Sequence, residues 1–141
     1  MSHLRFNPPG LWKQNGRAFN HGVVAAPGRT VHLTGQVAWD ENSAVVGRGD
    51  CAAQTAKSFE NVEAVLASVG GTLADIVSLT IFYLDPDDLP AIQQVRAARL
   101  PAATAPASIL IQVPGLVHPD LLVELVPIAV IPDARYRAPQ G

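Results

Sequence analysis

The chain has 141 residues, of which 48% are hydrophobic and 16% are charged, and this length is enough for one domain, residues 1–141, with a full core. The formal net charge of −2 and the lack of a basic run disfavour nucleic acid as a partner, and no stretch is long enough to span a membrane. Cys51 is the only cysteine, which excludes an internal disulfide. Because the N-terminus has no apolar leader, we expect a cytoplasmic protein.

The first third of the chain is predicted to be rich in turns and then β-stranded. Residues 1–18 contain turn-forming segments at 7–10 and 15–16, which indicate an irregular arm with room for one short strand. A strand over Phe19–Val24 is followed by a turn, and Thr30–Thr34 is predicted to return as its hairpin partner. Gly35 comes next, where a glycine indicates a bulge or a close approach of the backbone to another group.

The middle of the chain is predicted to hold two helices with a strand between them. Asp50 is a suitable N-cap for a helix over Cys51–Val69, which the glycines at 70–71 end. The strand covers Ile76–Leu84, and the second helix covers Leu89–Leu100. One stripe of the first helix is expected to face the core: Thr55, Phe59, Val62, Leu66 and Val69.

The last two predicted strands, Ala107–Val113 and Leu121–Ile131, flank a loop rich in breakers at 114–120. The second strand is apolar on both faces except at Glu124, as expected of a central strand covered on both sides. An unpaired carboxylate is costly there, so Glu124 is partnered, neutral or at the rim of a cavity. Pro127 cannot donate to a ladder and therefore predicts an edge position or a bulge.

With a short strand extension over Ala44–Val46 given in brackets, the order of these elements is β-β-(β)-α-β-α-β-β, which predicts an α+β fold. Two helices can cover one face of its sheet. The strand at 76–84 is nevertheless apolar on both sides, with Val77, Leu79, Ile81 and Tyr83 on one and Ile76, Phe82 and Leu84 on the other. We therefore expect subunits to associate through the uncovered face.

Short motifs are spread along nearly the whole chain: Asn7-Pro8-Pro9-Gly10-Leu11, Phe19-Asn20-His21, Thr34-Gly35-Gln36, Gln54, Asn61, Gly70, Asp75, Pro106-Ala107-Ser108 and Val123-Glu124. In this order and spacing they resemble the Rid family, the reactive intermediate deaminases, also called the YjgF-like or L-PSP family. The resemblance implies a chorismate-mutase-like fold: a six-stranded mixed sheet with two helices on one face, in a homotrimer with a barrel-like core. It also implies ligand clefts between subunits, hydrolysis of 2-imino and enamino acids to 2-keto acids and ammonia, and no metal or organic cofactor.

The resemblance also assigns roles to single positions. In the family's deaminases an arginine on the strand that here begins at Ala107 clamps the substrate carboxylate, and Ser108 stands at its place. Glu124 matches the acidic residue that positions the attacking water, so it is the catalytic candidate. The ligand-binding candidates are Phe19 at the place of an aromatic hydroxyl, His21, Thr34, Gly35, Gln93 at the place of an asparagine, Ser108, and Leu110 at the place of a cysteine or small residue.

Ser108 makes the chain similar to the Rid subfamilies that lack the clamping arginine, for which imine deamination is not expected. Arg96 and Arg99 on the second helix are interpreted as surface charges, although either could reach a neighbouring cleft and replace the clamp. Cys51 is interpreted as buried filler. The histidines show no spacing typical of a metal site.

Three hypotheses about function follow. The first is a protein that binds a small metabolite in clefts between subunits and, if it catalyses, acts as a hydrolase or deaminase on small imine- or enamine-type or related substrates, with Glu124 positioning water. The second is a non-catalytic ligand-binding or regulatory protein on the same homotrimeric scaffold. The third is a true 2-iminobutanoate/2-iminopropanoate deaminase with a relocated cation. The net charge of −2 disfavours the ribonuclease activity attached to some relatives.

Overall fold

The computed structural model describes residues 2–141. It contains two helices and six strands, in the order β1 (Leu4–Phe6), β2 (Gly22–Val24), β3 (Arg29–His32), α1 (Cys51–Ala67), β4 (Ile76–Tyr83), α2 (Leu89–Arg99), β5 (Ala107–Gln112) and β6 (Val123–Ile131). Single 3₁₀ turns precede β4, α2 and β5. The α+β class and both helices are therefore confirmed. Neither helix is both long and apolar enough to cross a membrane, within the residues described.

The six strands form two sheets, so the prediction of one six-stranded sheet is wrong. The larger sheet has the order β3-β6-β4-β5 and is mixed, because β4 and β5 run parallel while the other neighbours are antiparallel. The smaller sheet is the antiparallel pair β1-β2. This arrangement makes β6 a central strand and β5 an edge strand.

The predicted hairpin between Phe19–Val24 and Thr30–Thr34 is also wrong. β2 pairs with β1, and β3 pairs with β6 in the other sheet. Residues 19–21 do not join β2, since their backbone is held elsewhere: the Asn20 amide donates to the Pro106 carbonyl and the His21 amide to the side chain of Asn7. The one short strand expected within residues 1–18 is present as β1.

α1 begins as predicted, because the carboxylate of Asp50 accepts a hydrogen bond from the Ala53 amide at 3.1 Å. Its predicted apolar stripe is buried against β6 and α2. Both helices thus lie on one face of the larger sheet. The sheet residues that face them are Ile76, Leu79, Ile81, Val123, Leu125 and Ala129, all of them buried.

An irregularity in β4 decides which residues face the helices. The register with β6 shifts between Ile76 and Ser78, so one extra residue, Val77, lies between them. Ile76 therefore faces the helices together with Leu79, and its predicted place beside Phe82 is wrong. Pro127 pairs with Leu79 in the central strand β6, so the edge interpretation is wrong, and the bulge lies in β4 rather than at the proline itself.

The opposite face of the larger sheet has no cover among residues 2–141. Ile111 and Ile109 on β5 are 36% and 53% exposed, and Phe82, Val126 and Ile128 are only half-buried. We call this surface the open face. An apolar face of this kind is expected to pack against another protein surface.

Candidate functional site

Five of the eight predicted site residues line one cavity of about 370 Å³. They are Phe19, His21, Gln93, Ser108 and Leu110. The wall is completed by Trp12, Arg17, Asn20, Arg96, Ala107 and Ile109. Because both faces of the edge strand β5 contribute side chains, the cavity opens at the edge of the sheet. We call it the β5 cavity.

The N-terminal arm is tied to the start of β5, and this fixes one wall of the β5 cavity. The buried side chain of Asn20 donates to the carbonyls of Ala102 and Ala105 at 3.1 and 2.8 Å. The His21 ring donates to the carbonyl of Trp12 at 2.9 Å, and the two rings meet edge to face at 4.4 Å. Trp12, Phe19 and His21 thus form an aromatic wall.

Arg96 forms the opposite wall, and the interpretation of this residue as a surface charge is wrong. Its side chain is 0% exposed, because it lies on the buried face of α2 between Ile92 and Leu100. Its guanidinium donates to the hydroxyl of Ser108 at 2.9 Å and to the side-chain carbonyl of Gln93 at 2.5 Å. A cation therefore stands directly behind Ser108, where the family's deaminases carry an arginine on the strand.

The charge of Arg96 is not neutralised. It forms no ion pair within residues 2–141, its Nε has no hydrogen-bond partner there, and the cavity lining contains no carboxylate. Desolvation, with a smaller contribution from the nearby charge of Arg17, lowers the pKa of Arg96 to about 10. The side chain is still charged at neutral pH, so the cavity wall carries a net positive charge.

Arg99, the other cation considered for the clamp, does not reach the cavity. It bonds to Glu63 at 3.0 Å and approaches Glu60 at 3.8 Å on the surface between the helices. The interpretation of Arg99 as a surface charge is consistent with these contacts.

The remaining three predicted site residues lie away from the β5 cavity. Glu124 pairs with Phe82 on β4, whereas Ser108 pairs with Leu79. Phe82 and Leu79 point to opposite sides of the sheet, since the first is on the open face and the second faces the helices. Glu124 and Ser108 of one chain are therefore on opposite faces and cannot meet in one site.

Glu124 instead lies against Gly35, which follows Thr34 in the chain. The carboxylate of Glu124 packs so closely on Gly35 that a Cβ there would overlap it, which explains the glycine. Thr34 and Gly35 line a separate groove of about 800 Å³. Asn61 holds this segment in place by donating to the carbonyls of Val37 and Trp39 at 2.9 and 3.0 Å.

The described residues contain neither a cluster of metal ligands nor a reactive cysteine. In the part of the chain that the structure describes, no three His, Cys, Asp or Glu side chains converge as metal ligands would. Cys51 is buried, and desolvation and the carboxylate of Asp88 raise the pKa of its thiol to about 11. It therefore lacks the thiolate character of a reactive cysteine, in agreement with the filler interpretation.

Sequence reasoning missed Trp12, Arg17 and Asn20 and misplaced Arg96. A signal for Arg96 does exist, because it follows Ile92 by four residues and precedes Leu100 by four, so it shares their apolar stripe. No comparable signal marks Trp12 or Arg17, since both belong to an arm without periodicity.

The sequence model of the family described as Endoribonuclease L-PSP matches residues 14–131. The chain belongs to this family, the Rid family. It is 42% identical over 99 residues to the 3-aminoacrylate deaminase RutC of Acinetobacter baylyi, and the match covers 70% of this chain and 77% of that protein.

Solved structures of Rid proteins agree with this assignment. YyfB from Yersinia pestis, a Rid protein of unknown function, superposes with a TM-score of 0.85 at 35% identity, covering 93% of this chain and all of that one. RidA from an Antarctic Psychrobacter superposes with a TM-score of 0.67 at 30% identity, covering 76% and 85% of the two chains. The fold of the Rid family is therefore the fold of this chain.

Proposed function

We propose that the protein is a cofactor-independent hydrolase that deaminates small imine or enamine carboxylates in clefts between the subunits of a homotrimer. The observation that supports this most directly is the buried, unneutralised guanidinium of Arg96 behind Ser108 and Gln93. In our proposal it serves as the relocated cation of the third hypothesis. It would then take the part of the arginine that β5 lacks.

The name of the relative RutC, a 3-aminoacrylate deaminase, supports the same class of substrate. A 2-imino or enamino acid carries one carboxylate and one carbon–nitrogen bond that water can cleave. In our proposal the positive wall of the β5 cavity attracts the carboxylate, and the aromatic wall of Trp12, Phe19 and His21 packs on the rest of the ligand.

The water is positioned by Glu124 of the adjacent subunit, since Glu124 and Ser108 of one chain face opposite ways. Glu124 accepts a proton as the water oxygen adds to the imine carbon. Glu124 passes this proton to the nitrogen, which gives the carbinolamine. The carbinolamine hydroxyl then gives up its proton, which reaches the nitrogen in the same way as the carbon–nitrogen bond breaks, so ammonia leaves and a 2-keto acid remains. An enamine substrate first gains a proton on carbon and loses one from nitrogen, which makes it the imine; one water is consumed for each ammonia released.

A coupled assay tests this proposal. A serine dehydratase generates the enamine of pyruvate, and the release of keto acid is followed with and without the protein. We expect the wild type to accelerate release above the spontaneous rate, and Glu124→Gln and Arg96→Met to abolish the acceleration. Arg99→Met, which changes a surface ion pair, should retain it.

One observation favours the non-catalytic alternative. Phe19 places a ring without a hydroxyl at the position of the family's aromatic hydroxyl, which leaves one fewer proton donor in the cavity. A wild type that gives no acceleration over a range of imino acids would contradict the hydrolase and favour a binding protein.

A further inference from the structure

We infer that the carboxylate of the ligand is received by the hydroxyl of Ser108 and the side-chain amide of Gln93, and that Arg96 is the positioning residue that orients both donors. The inference rests on the proposed function only in taking the β5 cavity as the ligand site. It differs from the direct arginine clamp that the resemblance implies, because the two contact groups are neutral.

The hydrogen bonds of Arg96 determine which atoms of its two partners remain free. The Oγ of Ser108 accepts from Nη1 at 2.9 Å, and the Oε1 of Gln93 accepts from Nη2 at 2.5 Å. A guanidinium can only donate, so it holds both oxygens as acceptors. The Ser108 hydroxyl hydrogen and the Gln93 amide hydrogens have no acceptor among residues 2–141, and both side chains line the cavity.

Burial explains why these donors, rather than the guanidinium, meet the ligand. Arg96 is 0% exposed, whereas Gln93 and Ser108 are half-buried at the cavity wall. A donor whose oxygen already accepts from a cation is polarised and donates more strongly. Arg96 thus acts on the ligand through the two neutral groups that it polarises.

The missing counter-charge indicates the chemistry of the ligand. A buried cation without an anionic partner is costly, and here the lining offers none. A carboxylate has two oxygens, which match the two free donors. A phosphate has more acceptor oxygens than this wall has donors, so we assign the site to a carboxylate. Arg17, exposed at the mouth, adds a second positive charge that attracts such an anion.

The test measures equilibrium binding of pyruvate, the keto acid of the proposed reaction, to the full-length protein by NMR titration, with inorganic phosphate as the comparison ligand. We expect pyruvate to bind more tightly than phosphate. Ser108→Ala and Gln93→Met each remove one donor and should raise the Kd for pyruvate about 10-fold. Gln94→Met, a neighbouring exposed position on α2, is the matched control and should leave the Kd unchanged.

Variants of Arg96 separate positioning from mere structure. Arg96→Met should weaken pyruvate binding at least as much as the loss of both donors, and Arg96→Lys should recover part of it, because an ammonium can donate to both oxygens. In turnover assays, Ser108→Ala should raise KM more than it lowers kcat, since carboxylate binding is largely the same in the ground and transition states.

The outcomes distinguish this inference from the proposed function. Pyruvate binding that depends on Ser108 and Gln93, without any turnover, supports the inference and contradicts the hydrolase. Turnover that survives with unchanged KM in Ser108→Ala and Gln93→Met overturns the inference and leaves the hydrolase intact. The inference is also overturned if pyruvate does not bind the wild type at millimolar concentration, or if phosphate binds more tightly.

Discussion

The burial of Arg96 shows how a residue that serves a binding site can lower the stability of the folded protein. Its guanidinium is removed from water and, in the part of the chain that the structure describes, has two neutral hydrogen-bond partners but no carboxylate. Desolvating a charge costs several kcal/mol, and neutral partners return only part of that. An apolar side chain in the stripe of Ile92 and Leu100 would avoid the cost.

We therefore expect Arg96→Met to be more stable than the wild type while it loses ligand binding. The expected increase in the free energy of unfolding is about 1–4 kcal/mol, as for other buried charges replaced by apolar groups. Urea denaturation at one fixed protein concentration measures it. Arg99→Met is the control, because a surface ion pair contributes little, and its stability should stay within about 1 kcal/mol. A less stable Arg96→Met would show that the charge is structural.

Gly35 is the second residue at which a side chain would interfere with the site. A methyl group there would overlap the carboxylate of Glu124, and the glutamate can move away because its end is flexible. We expect Gly35→Ala to displace the carboxylate, with little effect on the melting temperature and a loss of about 100-fold in kcat. Gly115→Ala is the matched control, since no heavy atom lies within 4 Å of its added Cβ. Equal activity of the two variants would remove Glu124 from the mechanism.

Among the secondary-structure elements, the sequence predicts the features that depend on local patterns. It fails where a strand must choose a pairing partner that is not fixed by local sequence. α1, with Asp50 as N-cap, follows from periodicity and capping, and so do β4 to β6 within two residues. The partner of β2 does not, because β1 and β3 are both adjacent candidates in sequence and only tertiary packing chooses between them.

The candidate site shows the same division. The motifs identify both clusters, around Ser108 and around Glu124, but they give no sign that the two lie on opposite faces. Their faces follow from the register of β5 and β6 against β4, which places Ser108 opposite Leu79 and Glu124 opposite Phe82, and pairing between distant strands leaves no local sequence signal. Arg96 was misjudged because a charged residue on a helix is usually solvated.

The side chain of Asn20 joins the segment that carries the aromatic wall to the residues just before β5. Its removal should weaken this connection. We expect Asn20→Ala to lower the free energy of unfolding by about 1–3 kcal/mol, because the carbonyls of Ala102 and of buried Ala105 lose a donor. Pyruvate binding should weaken too, since the aromatic wall belongs to the same arm. Thermal denaturation and the NMR titration measure the two effects. Asn42→Ala, at an exposed turn, should change neither, and an equally harmless Asn20→Ala would contradict this role.

The apolar open face is the part of the molecule that is expected to pack against other subunits. We expect light scattering to give a mass of about 45 kDa, three times the chain mass of 14.9 kDa. Ile111→Asp places a charge on the open face and should lower this mass towards that of one chain. Ala98→Asp, exposed on α2 on the helical side, should leave the trimer intact. A wild type that scatters as a monomer at micromolar concentration would contradict the assembly.

Because Glu124 and Ser108 face opposite ways, two inactive variants of the protein should complement each other. In a closed homotrimer, each chain contributes its β5 cavity to the cleft shared with one neighbour and its Glu124 carboxylate to the cleft shared with the other. Chains with Arg96→Met and chains with Glu124→Gln are then both inactive alone. When they are unfolded together and reassembled, every mixed ring contains one cleft in which neither fault is present. Two inactive preparations should thus regain activity when they are reassembled together, and a mixture that stays inactive would contradict a cleft built from two chains.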